Sequence, residues 1–224
     1  MIPLRDNIPS RSIPFVNYAI ISTNIFVFFH QLQVHSSGLF ESFVFEFGVV
    51  PNLLTTNFIG NSYSLITSQF LHGGWAHIVG NMIYLYIFGD NVEDRVGHGR
   101  YILFYLLSGC GAALTQVYFN PFSKIPMIGA SGAIAGVLGA YFLLYPKAKV
   151  FAIIPLGLFS RIMEIPAFFF LGFWFILQAF SGTAAIYSAK ALGAESGGVA
   201  WFAHSGGFVV GVVYVLLFIR RRRK

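Results

Sequence analysis

The sequence predicts an all-α polytopic membrane protein, a single domain over residues 1–224 with six transmembrane helices and a first loop lying in the membrane interface. Three observations lead there. Of the 224 residues, 56% are hydrophobic and 10% charged, and the mean hydropathy is positive, so no water-soluble surface can be assembled for a domain of this size. Six apolar runs approach the roughly 20 residues that a helix needs to cross a bilayer; they lie at about 15–34, 76–92, 101–119, 128–145, 165–186 and 198–219. The basic residues gather where those runs stop, which is the footprint of membrane topology.

The first run follows Arg5 and Arg11, as a signal peptide would, but its apolar stretch exceeds an h-region of roughly 7 to 15 residues, and five more runs follow it. Residues 35–74 stay outside the membrane on this count. They are nevertheless rich in Leu, Phe, Val and Ile, broken by Glu41, Glu46, Gly48 and Pro51, a composition suited to resting in the interface. Residues 156–163 are expected to form a shorter interfacial counterpart on the opposite side. Six spans put both termini on one side, and twelve of the 14 Lys and Arg residues fall there: Arg5, Arg11, Arg95, Arg100, Lys147, Lys149, Arg161 and the run 220–224. Only Lys124 and Lys190 lie opposite. Cytoplasmic loops hold the excess of Lys and Arg, so both termini are expected in the cytoplasm, with the terminal run acting as a stop-transfer anchor that also suits anionic lipid. The net charge of +6 thus reports topology, and no nucleic-acid partner is expected. Cys110, the sole cysteine, lies in an apolar run, which excludes an intrachain disulfide and any multi-cysteine metal or redox motif. No cofactor or metal is expected.

Ionisable groups inside spans are costly and are usually functional. The second span opens with His77 and Asn81, four apart on one helical face. The fourth opens with Gly129-Ala130-Ser131-Gly132, a nucleophile-type turn at a helix start, and the sixth carries Ala203-His204-Ser205-Gly206-Gly207 near its outer end. All three sets lie at the same, extracytoplasmic side. Serine beside histidine is the minimum for acyl transfer, since imidazole removes the hydroxyl proton and the oxygen attacks a carbonyl. The oxyanion that results needs donors, for which the Ser131 N–H, left free at a helix start, and the side chains of Asn81 and His77 are candidates. Gly132, Gly136 and Ala140 on span four, and His204, Gly207 and Gly211 on span six, form small-residue stripes along which helix backbones approach closely in lipid. Meeting there would bring Ser131 and His204 within reach of each other. No Asp or Glu falls at that depth, so a Ser/His dyad is expected rather than a triad.

Each residue has another reading. A serine at a helix start is often a cap, a membrane histidine can serve a proton relay, and His77 with Asn81 can merely hydrogen-bond neighbouring helices. A transmembrane-helix binder without activity and a small transporter or channel are the functional alternatives to a hydrolase.

In combination these motifs resemble the rhomboid intramembrane proteases. The resemblance runs through spans two to six on His77-x-x-x-Asn81, Glu93-Asp94-Arg95-Val96-Gly97, Gly129-Ala130-Ser131-Gly132 and Ala203-His204-x-x-Gly207-x-x-x-Gly211. It implies Ser131 as nucleophile, His204 as base, and His77 with Asn81 as the oxyanion-stabilising pair. Glu93 and Arg95 match a turn that pins spans two and three. The implied substrates are single-pass membrane proteins cut in or near the outer end of their transmembrane helix, often after a small residue, within the lipid bilayer. The short six-span form resembles that of bacteria and implies the plasma (inner) membrane. Two departures stand out: Ala135 occupies a position where some members carry an aromatic residue under the histidine ring, and the first loop lacks the Trp-Arg pair of some relatives. The imidazole must then be held otherwise. His72, Ser68 and Gln69 either help admit water to the site or pack the loop, and the Gly-rich connection 193–198 is a candidate mobile cap.

Overall fold

The computed structural model describes residues 1–156, 159–192 and 199–219. A short strand, β1 (Ile2–Asp6), precedes the long helix α1 (Phe15–Ser36). Four short helices follow, α2 (Phe40–Phe47), α3 (Pro51–Thr56), α4 (Phe58–Asn61) and α5 (Ser64–Thr67), with a 3₁₀ turn at Ser68–Phe70. Then come α6 (Trp75–Val96), α7 (His98–Phe119), α8 (Ser131–Leu144), the strands β2 (Lys149–Leu156) and β3 (Phe159–Pro166), α9 (Ala167–Leu192) and α10 (Trp201–Phe218).

Six of these helices fall on the six apolar runs, displaced by a few residues. Among the described residues four are long and apolar enough to cross a membrane: α1, α7, the 167–185 part of α9, and α10. The protein is therefore an integral-membrane, mainly helical bundle. Of the other two, α6 has the length, but its last turns carry Asp90, Glu93, Asp94 and Arg95. Helix α8 has only 14 residues, about 21 Å at 1.5 Å per residue.

Helix α8 is apolar all round, and a helix of that kind is buried: every residue from Gly132 to Tyr141 is inaccessible. It is surrounded by α6, α7, α9 and α10. Glycine makes that possible. A Cβ on Gly207 would lie 2.1 Å from the Gly132 carbonyl oxygen, and one on Gly211 would lie 1.9 Å from that of Gly136. Gly132 itself abuts the Ala112 Cβ of α7. The stripes of α8 and α10 thus bring backbone against backbone.

The expectation of an all-α protein needs correction, because three strands form a small sheet. β2 and β3 pair antiparallel from Lys149↔Pro166 to Leu156↔Phe159, and β1 adds to β2 through Ile2↔Ile153 and Asp6↔Val150. The cause is a period-two pattern: Val150 and Ala152 are buried against the bundle, while Phe151 and Ile153 alternate with them on the more accessible face, and such alternation favours a half-buried strand. The sheet remains small beside the helices.

At the end of α6 remote from His77, polar side chains clamp the elements together. Glu93, wholly inaccessible, accepts hydrogen bonds from the backbone N–H groups of Val16 (3.1 Å) and Asn17 (2.7 Å). These are orphan donors of the first turn of α1. His98 at the start of α7 contacts the same carboxylate, so Glu93 ties α1 to the α6–α7 turn as well as spans two and three to each other. Asn17 donates to Leu85 O (3.0 Å) and accepts from Tyr101 (2.9 Å). Asp94 caps the Ser12 side chain and the backbone of residues 11 and 12. Gly97, at φ +88°, makes the turn into α7 in a region that favours glycine.

Candidate active site

Ser131 is the first residue of α8; Ala130 is the cap residue and makes no side-chain cap bond. The serine hydroxyl is instead engaged by the His204 Nε2 at 2.8 Å. This geometry sets aside the helix-cap reading of Ser131. Its backbone N–H, with those of Gly132 and Ala133, belongs to the free first turn of α8, where the helix dipole favours negative charge. Gly129, at φ +130°, shapes the approach to that turn, and its N–H is held by Ser68 O at 2.9 Å.

Residues on α7, α9 and α10 hold His204 in place. The α7 residue Gln116 accepts hydrogen bonds from the backbone N–H groups of Phe202 (3.0 Å) and Ala203 (3.1 Å), capping α10 at the two residues just before the histidine. Gln178 on α9 approaches the His204 Nδ1 through its Oε1 at 2.7 Å. Trp174, one turn earlier on α9, and Trp201 bracket the ring, at 5.9 and 6.3 Å between centroids. These groups supply the support left vacant by Ala135, which is buried in the α8–α10 contact. Sequence reasoning passed over Gln116 and Gln178 because it looked for charged groups. The signal available was that each is an amide inside an apolar run, where an unpaired polar group is costly.

His77 and Asn81 face the same cavity as Ser131 and His204, a space of about 840 Å³ that Trp174 and Gln178 also line. The His77 Nδ1 accepts from the Gly73 N–H at 3.3 Å, which leaves the proton on Nε2. That Nε2 lies beside the nucleophile turn: a Cβ on Gly129 would sit 2.7 Å from it and 3.6 Å from the Ser131 Oγ. One Asn81 amide hydrogen goes to the His72 Nε2 at 2.9 Å, leaving the other for the cavity. Burial, and secondarily the nearby His77, pushes the His72 pKa down to about 4, which keeps its ring neutral. Gln31 pins the His72 backbone through two hydrogen bonds. His72, Ser68 and Gln69 are all buried, and Gln69 donates to the carbonyls of Leu65 and Leu106. Of the two readings for these three residues, loop packing is the one the contacts favour.

The first loop folds over this end of the bundle. Val49 and Met127 exchange both backbone hydrogen bonds, at 3.0 and 2.8 Å, and Asn52 N–H donates to Ser123 O, so the chain leading to Gly129 is tied to residues 48–52. The candidate cap at 193–198 lies outside the described residues. Among the described residues no three His, Cys, Asp or Glu side chains converge to hold a metal ion.

A family model described as the Rhomboid domain matches residues 60–221, which include the cavity residues His77, Asn81, Ser131, Trp174, Gln178 and His204. The chain is 35% identical over 127 residues to the Rhomboid protease GluP of Bacillus subtilis, a match covering 57% of this chain and 24% of that protein. It is 33% identical over 161 residues to Rhomboid-like protein 11, chloroplastic, of Arabidopsis thaliana, covering 69% and 52%. To Rhomboid protein 1, mitochondrial, of Saccharomyces cerevisiae it is 28% identical over 166 residues, covering 72% and 43%. The chain thus spans from about a quarter to about half the length of these relatives.

Proposed function

The chain belongs to the rhomboid family, and from that premise we propose that it is an intramembrane serine endopeptidase with Ser131 as nucleophile and His204 as general base. The observation that carries this reading is the 2.8 Å contact between the Ser131 hydroxyl and the His204 Nε2 in a cavity open to the surface.

The steps follow from the donors around it. His204 removes the hydroxyl proton as the serine oxygen attacks the peptide carbonyl. Negative charge forms on the carbonyl oxygen near the Ser131 N–H, the His77 Nε2–H and the free Asn81 amide hydrogen, all donors whose positions are set before the reaction begins. The tetrahedral intermediate collapses, the C–N bond breaks, and the departing amine takes the proton from His204. Water, deprotonated by the same imidazole, then hydrolyses the serine ester and regenerates the hydroxyl. The proposed substrates are membrane proteins cleaved in or near a transmembrane helix, because a cavity beside lipid admits such a segment. A carbonyl within that helix must first be released from its own hydrogen bond.

The proposed topology has six spans with α6 and α8 crossing alongside the four longer or more apolar helices, residues 35–74 at the outer interface, one domain, and both termini in the cytoplasm. The bacterial plasma membrane is its proposed location. The distribution of Lys and Arg supports that orientation, and exposed Leu39, Phe45, Phe58 and Ile59 in the first loop support its interfacial position.

The test uses purified protein in liposomes with a model transmembrane substrate and a fluorophosphonate probe. Ser131→Ala is expected to abolish labelling and cleavage, and His204→Ala to abolish cleavage, each with folding retained. Cleavage at the parent rate by both variants would eliminate the dyad.

A further inference from the structure

We propose that Gln178 is the third, positioning member of the site, holding His204 in the tautomer that can act as a base; this rests on the Ser131/His204 reading above. A base that takes the serine proton at Nε2 must present a lone pair there and carry its own proton on Nδ1. A neutral imidazole exchanges these roles freely unless a partner decides between them. Gln178 Oε1, 2.7 Å from Nδ1, is an acceptor, so it selects the Nδ1–H form and leaves Nε2 to accept from Ser131. It also opposes rotation of the ring away from the serine.

The placement is specific. Gln178 is buried, 7% exposed, and lies one helical turn from Trp174 on the same face of α9, so both side chains reach His204 from that helix. A buried amide in an apolar helix is costly unless its hydrogen-bonding capacity is used. Here its oxygen is used on the base. The amide performs the orienting task that an acidic residue performs in a triad, but as a neutral group it adds no counter-charge for the imidazolium that forms during acyl transfer. The polar group that decides the tautomer therefore resides on α9, whereas the base and nucleophile reside on α10 and α8. The base keeps its tautomer only while α9 remains seated against α10.

The experiment compares Gln178→Leu and Gln178→Glu with the parent and with Ser131→Ala, all reconstituted in liposomes. Three readouts are taken: steady-state cleavage, the rate of fluorophosphonate labelling, and the ¹⁵N chemical shifts of the His204 imidazole, which distinguish its tautomers. For Gln178→Leu, kcat and the labelling rate are expected to fall at least about tenfold, the effect of losing one hydrogen bond, with KM nearly unchanged and the tautomer redistributed towards Nε2–H. Gln178→Glu keeps an acceptor and is expected to recover the Nδ1–H tautomer and most of the labelling rate. Gln178→Leu with the parent's tautomer and labelling rate would overturn the proposal. So would equal losses in Leu and Glu variants accompanied by a parent-like tautomer in both, the pattern of a packing role. Failure of the underlying dyad reads out separately, as labelling that persists in Ser131→Ala.

Discussion

At the Glu93 end of α6 and at the His77 end, some 24 Å apart along the helix axis, the protein buries polar side chains in an apolar bundle and treats their hydrogen-bonding capacity differently. Glu93, Asn17 and Tyr101 bond to one another's helices and to the free N–H groups of α1, and their capacity is spent inside the fold. Around Ser131, the His77 Nε2–H, one Asn81 amide hydrogen and the first N–H groups of α8 are directed at or beside a cavity. Both ends hold costly groups. The second set faces the cavity that holds Ser131 and His204.

That contrast can be broken most forcefully at Asn81. With Asn81→Ala, cleavage is expected to fall about 10²- to 10³-fold, the contribution of an oxyanion donor, with fluorophosphonate still reaching Ser131. Steady-state cleavage against labelling is the check, and parent-like turnover would remove Asn81 from the site. Next in size is Gly211→Ala. The added methyl would press on the Gly136 carbonyl, which is backbone and cannot swing aside, so α10 must shift, at about 1–3 kcal/mol for an overpacked contact. A lower Tm and slower cleavage are expected together, because the same shift separates His204 from Ser131; an unchanged Tm would mean the helices do not meet as described.

The Glu93 end should respond in stability alone. Glu93→Ala strands the N–H groups of Val16 and Asn17 without an acceptor, at about 1–3 kcal/mol for unsatisfied buried donors. The Tm should drop while the folded fraction labels at the parent rate. Slower labelling per folded molecule would mean that the two ends are coupled. The smallest effect is expected at Asp6. Burial, outweighing the Tyr141 hydroxyl bonded to it and assisted by Asp90, raises its pKa above the ordinary aspartate value. The folded state therefore holds this proton more tightly than the unfolded state, and the stability so gained is complete below the unfolded pKa and lost as pH rises through the folded one. Asp6→Asn is expected to raise the Tm slightly at neutral pH, with the difference from the parent closing as pH falls. Parallel Tm curves at every pH would contradict it.

The helices were readable because each long apolar run has one means of satisfying its backbone in lipid, and the run boundaries fell within a few residues of the observed ends. The Ser131, His204, His77 and Asn81 set was readable as the concentration of polar groups at one depth. What escaped reading depends on distant partners. β1 is five residues long and pairs with a strand some 150 residues later, so no local window contains the reason for it. The alternation of Val150 and Ala152 was available but was hidden in a stretch read as a loop. Gln178 and Gln116 carry no charge, and the search for an acidic third member passed over the amides whose contacts only the folded bundle brings together.

The sheet has a consequence for biosynthesis. Ile2 pairs with Ile153, so the first strand emerges from the ribosome long before its neighbour exists; at about 5–20 residues per second the delay is on the order of ten seconds. Throughout that interval α1 and the helices after it can enter the bilayer while β1 lacks its partner strand. Its docking onto β2 is then a late event, available only after α8 has been made, and it joins the segment before α1 to the connection between α8 and α9.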